Sequence, residues 1–439
     1  MGEALGSSPT VQASWERLAA ARSLSAQAGS ALLPSGALSA GWTSNSTEPL
    51  VQQVLNNVSG ASPLPEDELR AQIQDRFGDA YQNGNWRLTG TWNVDLFGTG
   101  TTAWLATRWD AKASDGSRAA QALALAANIG AAWYDVIAAR ERLDFVIDQV
   151  RISTELTGLV QLRYEGGQAT ALDLLQQRQQ LANIEATLPA ARAAVDRSVL
   201  RLAALVGRNP ATATLADLGA PDRLPAPPEA QALGQPADLL GRRPDLVLGQ
   251  ASLQAAELRR TSAWLGLAPS LQLSGYTGDQ GQLLGADSTE WDWVGNWQVG
   301  LNASLPFFNG GRKLAAARGA AANARAGRFD LEQSTLNAVQ EVEDSRRVLQ
   351  QRGEELDARS AQVRAARLAF DESKAQYLGG TLPYVNVMAA LGSVQSAELA
   401  HIQARRDRIG AWITLQNALG APWALDLDRP RGGATGGGR

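Results

Sequence analysis

The stretch that decides the fold is Trp86-Arg87-Leu88-Thr89-Gly90-Thr91-Trp92-Asn93-Val94-Asp95-Leu96. Apolar side chains stand at its even positions, except for Gly90, and polar side chains stand at its odd positions. This period of two predicts a β-strand with one apolar face and one polar face. A length of roughly ten residues also suits a tilted strand that crosses a membrane.

A second alternating stretch begins at Asn296-Trp297, 211 positions after Asn85-Trp86, and ends at Leu305. Weaker alternation near residues 32–43 and 267–277 predicts a partner strand before each of the two stretches. Each half of the chain should therefore form one β-hairpin. We expect residues 44–84 to form an unusually long loop in the first hairpin.

Other matches between the halves follow the same order. Leu33-Pro34-Ser35 is echoed 235 positions later by Ala268-Pro269-Ser270. Tyr164-Glu165-Gly166-Gly167 is echoed 213 positions later by Tyr377-Leu378-Gly379-Gly380, and Gly207 recurs as Gly420 at that same offset. Ordered self-similarity of this kind indicates a duplicated chain.

The duplication predicts four segments. A first repeat covers residues 1–207 and a second repeat covers residues 242–423. A proline-rich equatorial connector at 208–241 joins them, and a glycine-rich tail at 424–439 is expected to be disordered. Residues 246–269 match residues 11–34, but the sequence before Val11 contains no counterpart of Arg242-Arg243-Pro244-Asp245. We therefore expect the first repeat to be shortened, without signal, lipid-carrying cysteine or a first equatorial helix.

Long helices are predicted after each hairpin. Residues 117–164 and 312–377 contain no proline, and their apolar residues recur at steps of three and four. At ~1.5 Å per residue they would be roughly 70 and 100 Å long. The glycine pairs Gly166-Gly167 and Gly379-Gly380 then predict turns that return the chain along 171–205 and 385–419. The fold class is mainly α with a small β part.

Composition excludes several kinds of function. The net charge of -4 gives no electrostatic reason to expect nucleic acid as a partner. The chain has no cysteine, which excludes disulfides and thiolate chemistry. Its single histidine, His401, cannot build a histidine-rich metal site and is expected on a helix surface. We predict no catalytic residues, no metal site and no cofactor, and hence no enzyme.

Hydropathy does not decide the membrane question. No run of 18 apolar residues occurs, which argues against a transmembrane helix, but the strands of a membrane β-barrel would leave no such run either. Four strands from one chain cannot close a barrel, and an open sheet edge is not tolerated in lipid. Three chains with four strands each would close a 12-stranded barrel.

Six motifs resemble, in sequence and in order, those of the TolC-like outer-membrane efflux proteins, in particular the NodT-like lipoprotein branch. They are Trp92-Asn93-Val94-Asp95-Leu96-Phe97-Gly98, Arg242-Arg243-Pro244-Asp245, Ala268-Pro269-Ser270, Leu305-Pro306-Phe307-Phe308-Asn309-Gly310-Gly311-Arg312, Glu341-Val342-Glu343-Asp344 and Ala418-Leu419-Gly420-Ala421-Pro422-Trp423. The resemblance covers nearly the whole chain.

The resemblance implies a homotrimer with an outer-membrane β-barrel and a long periplasmic α-barrel. It also implies docking onto a periplasmic adaptor protein and an inner-membrane pump, with outer-membrane lipid around the barrel. The function implied is a passive efflux duct for drugs or other small molecules, which confers antibiotic resistance. Two alternatives stay open: the exit channel of a type I protein secretion system, and a soluble coiled-coil scaffold or adaptor.

Two groups of residues are candidates for the site. The turns of the helical hairpins would form the periplasmic tip, gate and adaptor-docking region: Gly166, Gly167, Asp173, Gly379, Gly380 and Asn386. Asn386 and Ala389 stand where the family often has acidic residues, so we expect a gate closed by helix packing and neutral hydrogen bonds. Tryptophans in and beside the strands would lie at the membrane interface, with core packing as the alternative: Trp42, Trp86, Trp92, Trp291, Trp293 and Trp297.

Overall fold

The computed structural model describes residues 8–46, 48–58, 65–77, 80–218, 221–226, 239–283 and 291–420. The tail predicted to be disordered, residues 424–439, lies outside the described residues, as does part of the predicted connector. The elements of the first half are α1 (Pro9–Ser30), β1 (Ser35–Ser46), α2 (Glu48–Val58), α3 (Glu66–Phe77), β2 (Ala80–Val94), α4 (Thr99–Glu165), α5 (Ala171–Glu185) and α6 (Leu188–Leu205). After a short 3₁₀ turn follow α7 (Leu215–Leu218), α8 (Leu239–Arg242), α9 (Pro244–Leu265), β3 (Ser270–Leu283), β4 (Asp292–Ser304), α10 (Arg312–Leu378) and α11 (Tyr384–Ala418).

The duplication is visible in the bounds of the elements. Helices α1 and α9 each contain 22 residues and begin 235 positions apart, the offset found in the sequence. Helices α4 and α10 each contain 67 residues and begin 213 positions apart. The return helices α5 and α11 begin at that same offset of 213. The repeated unit is therefore helix, β-hairpin and helical hairpin.

The offset between the two repeats changes from 211 to 213 at the junction between the second strand of each hairpin and the long helix that follows it. Phe97 matches Phe308 at an offset of 211, as the sequence indicates. The residues just before the long helices are Gly98 and Gly311, 213 positions apart, and both have φ of +80°. Gly98 is thus the structural counterpart of Gly311, although the offset of 211 taken from Asn85-Trp86 alone would pair Gly311 with Gly100. Two additional residues in the second repeat account for the change.

The strands form one antiparallel sheet in the order β1-β2-β3-β4. Leu38, Leu88, Thr277 and Trp297 lie in register across it. Both predicted hairpins are confirmed; β1 has the predicted length but lies three residues later, and β2, β3 and β4 are longer than predicted. The loop expected at 44–84 is partly wrong, because α2 and α3 form within it. Leu55 of α2 is 1% exposed, so this segment has buried packing of its own.

The chain divides into two compact units. A sheet unit contains Arg22–Trp109 and Gln254–Ala326, and a helical unit contains Met1–Ala21, Asp110–Leu253 and Gly327–Arg439. The main core of the helical unit lies along α4, where Leu123, Ile129 and Val136 pack against residues of α6 such as Val199. These contacts bury the stripe that the helical period predicts.

Helix α4 includes an 18-residue window with a mean hydropathy of 1.4, of which 39% is buried. By length and composition such a window could cross a membrane, but the core helix of a soluble protein passes the same test. Helix α4 begins at Thr99, earlier than predicted, because Asp95 caps its first turn. Its carboxylate accepts hydrogen bonds from the backbone N–H groups of Gly100 (2.9 Å) and Thr101 (2.7 Å).

Candidate functional site

One face of the sheet is apolar. The register brings the even positions of β1 and β2 onto the same face as the odd positions of β3 and β4. Leu38, Leu88, Val299 and Leu301 lie on this face and are between 48% and 72% exposed. An exposed apolar surface of this extent is unusual for a soluble domain and marks a surface that another apolar phase covers.

The predicted interface tryptophans lie on this face or beside it, but they are not evenly spread. Trp42 and Trp293 share one row of the sheet, near the end where β1 connects to β2. Trp291 stacks on Trp293 with 5.6 Å between ring centroids. Gly281 makes room for this pair, because a Cβ there would lie 2.6 Å from the Trp293 ring.

Trp92 lies eight residues from the Trp42–Trp293 row, at the end of the sheet that leads into the long helices. At 3.3 Å per residue this is about 26 Å along the strand, close to the apolar band of membrane barrels. Trp86 and Trp297 lie between the two rows. This spacing supports the membrane-interface assignment of Trp42, Trp92, Trp291 and Trp293, but it does not support that of Trp86 and Trp297. The assignment of all six stays a prediction.

The other face of the sheet is polar, and its side chains are mostly neutral. Gln272 donates a hydrogen bond to Asn93 (3.1 Å), and the guanidinium of Arg87 lies 4.5 Å from the ring centroid of Tyr276. The amides Asn85, Gln280, Gln282, Gln298 and Asn302 lie on the same face. If the sheet closed with its apolar face outward, this face would line a wet interior of low charge.

The turns of the two helical hairpins share one geometry. Gly167 and Gly380 have φ of +71° and +76°, and each N–H donates to a carbonyl three residues earlier. The N–H groups of Gln168 and Thr381 donate to carbonyls five residues earlier. Both are Schellman turns, which require a left-handed residue and therefore favour glycine.

The two turns pack against each other. Nη1 of Arg163, from the first hairpin, donates to the backbone carbonyls of Tyr377 (2.9 Å) and Leu378 (3.2 Å) at the end of α10. Its guanidinium also lies 4.7 Å from the centroid of the Tyr377 ring. A cation at the negative end of a helix is stabilised by the helix dipole, so this contact links the hairpins electrostatically.

A buried polar cluster continues this contact into the hairpins. The hydroxyl of Tyr384 donates to Oε1 of Gln177, which is fully buried. Nε2 of Gln177 contacts Ser153 through both its backbone carbonyl (2.8 Å) and its hydroxyl (3.0 Å), and the Thr157 hydroxyl at 3.1 Å. Burial raises the pKa of the Tyr384 phenol well above its usual value. The cluster consists of neutral hydrogen bonds, the kind predicted for the tip.

Asp173 belongs to a capping box at the start of α5. The Thr170 hydroxyl accepts from the Asp173 N–H (3.1 Å), and the Asp173 carboxylate accepts from the Thr170 N–H (2.9 Å). Gly166, Gly167, Gly379 and Gly380 are exposed at the turns. Asn386 is exposed in the first turn of α11. The gate and docking roles of these residues remain predictions.

Three of the six sequence motifs meet at one arginine of the helical unit. Arg243 forms ion pairs of 2.8 Å with Asp245 and with Glu341. Its Nη1 donates to the carbonyl of Ala418, also at 2.8 Å. Burial would lower the pKa of Arg243, but the two carboxylates outweigh burial and raise it. The three motifs therefore meet in one contact, which we call the Arg243 joint: Arg243, Asp245, Glu341 and the carbonyl of Ala418.

Comparison with known proteins gives one consistent result. The profile of the outer membrane efflux protein family matches residues 1–208 and 236–421. The chain belongs to the outer membrane efflux protein family. The pyoverdine export outer membrane protein OpmQ of Pseudomonas aeruginosa is 27% identical over 79% of this chain and 72% of its own length. Nodulation protein T of Rhizobium leguminosarum is 26% identical over 76% of this chain and 70% of its own length.

Solved structures agree in fold. The outer-membrane channel OprN superposes with a TM-score of 0.79 at 24% identity, over 96% of this chain and 89% of its own. The predicted fold class is confirmed: long antiparallel helical hairpins and a four-stranded antiparallel sheet, as in TolC-like channels. This outer membrane efflux protein is the outer-membrane channel component of an efflux system, and its family consists of channels rather than enzymes.

The side chains that join the two hairpin turns are not indicated by any sequence pattern. Arg163, Tyr377 and Tyr384 flank the glycine turns, but no pattern indicates that the first turn contacts the second. Gln177 stands in an otherwise ordinary polar helix, Gln176-Gln177-Arg178-Gln179-Gln180. Its burial depends on a partner 207 residues away. Within the described residues, no group of three or more histidine and acidic side chains has the arrangement of a metal site.

Proposed function

We propose that this efflux protein acts as a homotrimer in which three four-stranded sheets close into a 12-stranded barrel. The observation that carries the proposal is the exposure of both edge strands. Every residue of β1 except Asn45 is exposed, and β4 has two half-buried residues, Asn296 and Gly300. An open edge in lipid would leave backbone N–H and C=O groups without partners.

The strand order makes closure between copies straightforward. In an antiparallel sheet of four strands, the first and last run in opposite directions. Strand β4 of one copy can therefore pair with β1 of the next in the same antiparallel pattern that joins β1 to β2. Closure with apolar side chains outward would place Arg87 and the neutral amides in the lumen. The number three comes from the family resemblance.

The duct would be passive, and its load would be small molecules. The polar face contains mainly amides and hydroxyls, which suit a water-filled passage without strong charge preference. Relatives include a pyoverdine exporter and a toluene efflux pump protein, and neither name describes protein secretion. A type I protein secretion channel remains the second candidate. The exposed apolar face of the sheet argues against a soluble scaffold.

Opening would occur at the hairpin turns. The tip residues Gly166, Gly167, Asp173, Gly379, Gly380 and Asn386 would dock a periplasmic adaptor, which in turn contacts an inner-membrane pump. In the structure the two turns are joined by Arg163 and by the Tyr384–Gln177 hydrogen bond. Binding of an adaptor that separates the turns would shift packed helices in a shear movement, as in other switches.

A cross-linking experiment tests the barrel directly, because the chain has no native cysteine. Variants carry one cysteine in β1 and one in β4 on the same face of the sheet, such as Ala37→Cys with Asn302→Cys, and the second position is moved in steps of two residues to sample neighbouring registers. These variants are oxidised in membranes. Pairing between copies should give covalent trimers in at least one register. Pairs with the second cysteine in β2 instead should give only monomers. Monomers from every β1–β4 pair would contradict closure between copies.

A further inference from the structure

The apolar face of the sheet carries one charged side chain among the residues that the structure describes. Asp279 of β3 is in register with Trp86 of β2 and Gly295 of β4, and it lies on the apolar face because the other odd positions of β3 do. Its row is the next one toward the long helices after the row of Trp42 and Trp293. A carboxylate on the lipid face of a membrane barrel is unfavourable unless it has a partner.

The described part of the chain supplies no partner for this carboxylate, since neither a hydrogen bond nor an ion pair reaches Asp279. Its Oδ1 lies beside Gly295, only 2.8 Å from the place where a Cβ would stand. Glycine at this position therefore leaves the space that the carboxylate occupies. Strand β4 is an edge of the sheet, so the carboxylate points toward the strand that would pair with β4 next.

In the proposed barrel that next strand is β1 of the neighbouring copy, and two conditions fix its register. Strand β1 has 12 residues and β4 has 13, so backbone pairing is most complete when all of β1 lies against β4. The apolar face must also continue across the junction, which requires even positions of β1 to face odd positions of β4. One register meets both conditions. It places Ser35 opposite Ser304 and Ser44 opposite Gly295.

This register agrees with the geometry of membrane barrels. Within one sheet the row of Asp279 begins at Ala40 of β1, whereas at the junction the same row would continue to Ser44 of the neighbouring copy. The stagger is thus four residues for each sheet of four strands, or about 13 Å along the strands for about 19 Å across them. The corresponding strand tilt is about 35°, as in membrane barrels.

We propose that the Asp279 carboxylate accepts a hydrogen bond from the Ser44 hydroxyl of the neighbouring copy at each junction between subunits. This inference rests on the proposed function, because it requires β4 of one copy to pair with β1 of the next. Neighbouring strands lie about 4.8 Å apart, so a hydroxyl that faces Gly295 is within reach of a carboxylate beside Gly295. A hydrogen bond to a charged acceptor is strong where water is excluded.

The same register gives the most exposed tryptophan of the described strands a neighbour. Trp297 is 77% exposed and Trp42 is 62% exposed in the single chain. The register places Trp42 of the neighbouring copy directly opposite Trp297, two residues from the Ser44–Gly295 pair. Aromatic pairs across neighbouring strands stabilise a sheet. One register therefore covers exposed apolar surface and supplies a donor for the carboxylate at the same junction.

A double-mutant cycle on the assembled trimer tests the contact. Wild type, Ser44→Ala, Asp279→Ala and the double variant are purified in detergent, and the rate of trimer dissociation on heating is followed by size-exclusion chromatography. Ser44→Ala should dissociate about tenfold faster than the wild type, because it leaves a carboxylate unpaired in the apolar face. Adding Asp279→Ala should slow dissociation again, because both partners are then absent.

Two variants serve as controls. Ser44→Thr keeps the hydroxyl and should dissociate at the wild-type rate. Thr277→Ala changes the same strand and the same face two residues from Asp279, and should also leave the rate unchanged. If Ser44→Ala is too unstable to purify as a trimer, recovery of the trimer in the double variant carries the same information. Failure of both to assemble, while Ser44→Thr assembles, would assign Ser44 another role and overturn the proposal.

Other outcomes would also overturn it. A wild-type rate in Ser44→Ala, or an acceleration that Asp279→Ala does not reverse, would show that the two residues are not coupled. If EDTA accelerates dissociation of the wild type but not of Asp279→Ala, the carboxylate binds a divalent cation instead of the neighbouring copy.

Cysteine cross-links separate this inference from the proposed function. The register that pairs Ser44 with Gly295 also pairs Ala37 with Asn302, so Ala37→Cys with Asn302→Cys should give the strongest cross-link between copies. A strongest cross-link in another register would contradict the Ser44 contact and leave the barrel intact, as would an Ala37–Asn302 cross-link without coupling in the cycle. Absence of cross-links in every β1–β4 register would contradict the barrel itself.

Discussion

Nη2 of Arg243 lies 2.8 Å from Oε2 of Glu341, a residue 98 positions later in the chain. The same guanidinium binds Asp245 and the carbonyl of Ala418, and the Arg243 side chain is 11% exposed. Nearby, Gly420 has φ of +73°, and a Cβ there would lie 2.8 Å from the Arg242 carbonyl. The three sequence motifs at 242–245, 341–344 and 418–423 therefore meet at Arg243. The second repeat begins and ends at this contact.

Replacing Arg243 with alanine should destabilise the helical unit. The change leaves Asp245 and Glu341 without their cationic partner, and a lost hydrogen bond to a charged group costs about 1.5–3 kcal/mol. Thermal unfolding of the purified protein in detergent measures the effect. Arg242→Ala is the matched control, because the Arg242 side chain is exposed and its loss should change the midpoint little. Equal midpoints for the two variants would contradict the joint.

Asp245 predicts how this joint responds to acid. Burial raises its pKa, but the hydrogen bond and charge of Arg243 outweigh burial, and the net pKa is lowered. A carboxyl with a lowered pKa contributes stability above its unfolded pKa of about 3.9, and that contribution is lost as pH falls through the folded value. The thermal unfolding temperature of the wild-type protein should therefore fall when the pH is lowered below about 4. Asp245→Asn should be less stable at neutral pH and should show a smaller drop.

Replacing Arg163 at the tip with alanine should make the closed channel leaky. Arg163→Ala removes two hydrogen bonds to the end of α10, and each such bond to a charged group is worth about 1.5–3 kcal/mol. If the turns must separate to open the gate, the variant should conduct more at rest in planar bilayers. Arg151→Ala is a suitable control, since Arg151 pairs with Asp148 and Glu155 on its own helix. Identical resting conductance in wild type and Arg163→Ala would exclude this contact from the gate.

Substitutions at Asp173 and Thr170 can distinguish a helix-capping role of Asp173 from a role in the channel gate. Asp173→Asn removes the negative charge and keeps an oxygen that accepts from the Thr170 N–H, so a capping role predicts a small loss of stability. Thr170→Ala removes the reciprocal acceptor and should cost about 1 kcal/mol. If Asp173 also acts in the pore, Asp173→Asn should alter ion selectivity and Thr170→Ala should not. Conductance and thermal unfolding of both variants decide between the roles.

The sequence was sufficient for the parts of this fold that local patterns encode. Alternation from Trp86 to Leu96 predicts a two-faced strand, and paired glycines predict the turns at Gly167 and Gly380. Matches between the halves that follow the same order, at offsets of 235, 211 and 213, predict the repeat. These features depend on side-chain period and on backbone angles, which a short window of sequence contains.

Contacts between distant segments could not be predicted in this way. The Arg163–Tyr377 contact joins two turns 214 residues apart, and nothing near Arg163 distinguishes it from the solvated arginines of the same helix. The helices at 48–58 and 66–77 were also missed. Gly60 and Pro63 follow the first of them as a stop signal, but helices of 11 and 12 residues contain too few apolar positions to define a helical period clearly.

Arg87 provides a test of which sheet face lines the pore. It lies on the polar face beside Tyr276, and a trimer would place three such arginines in a lumen otherwise rich in neutral amides. A ring of positive charge favours anions, so Arg87→Glu should shift the reversal potential in a salt gradient toward cation selectivity. Arg87→Lys keeps the charge and should leave selectivity near that of the wild type. Arg87→Glu also loses the contact with the Tyr276 ring, worth about 0.5–1 kcal/mol at an exposed site, so thermal unfolding of both variants should show only a small difference and checks that the channel is still folded. An unchanged reversal potential in Arg87→Glu would mean that the polar face does not line the conducting path.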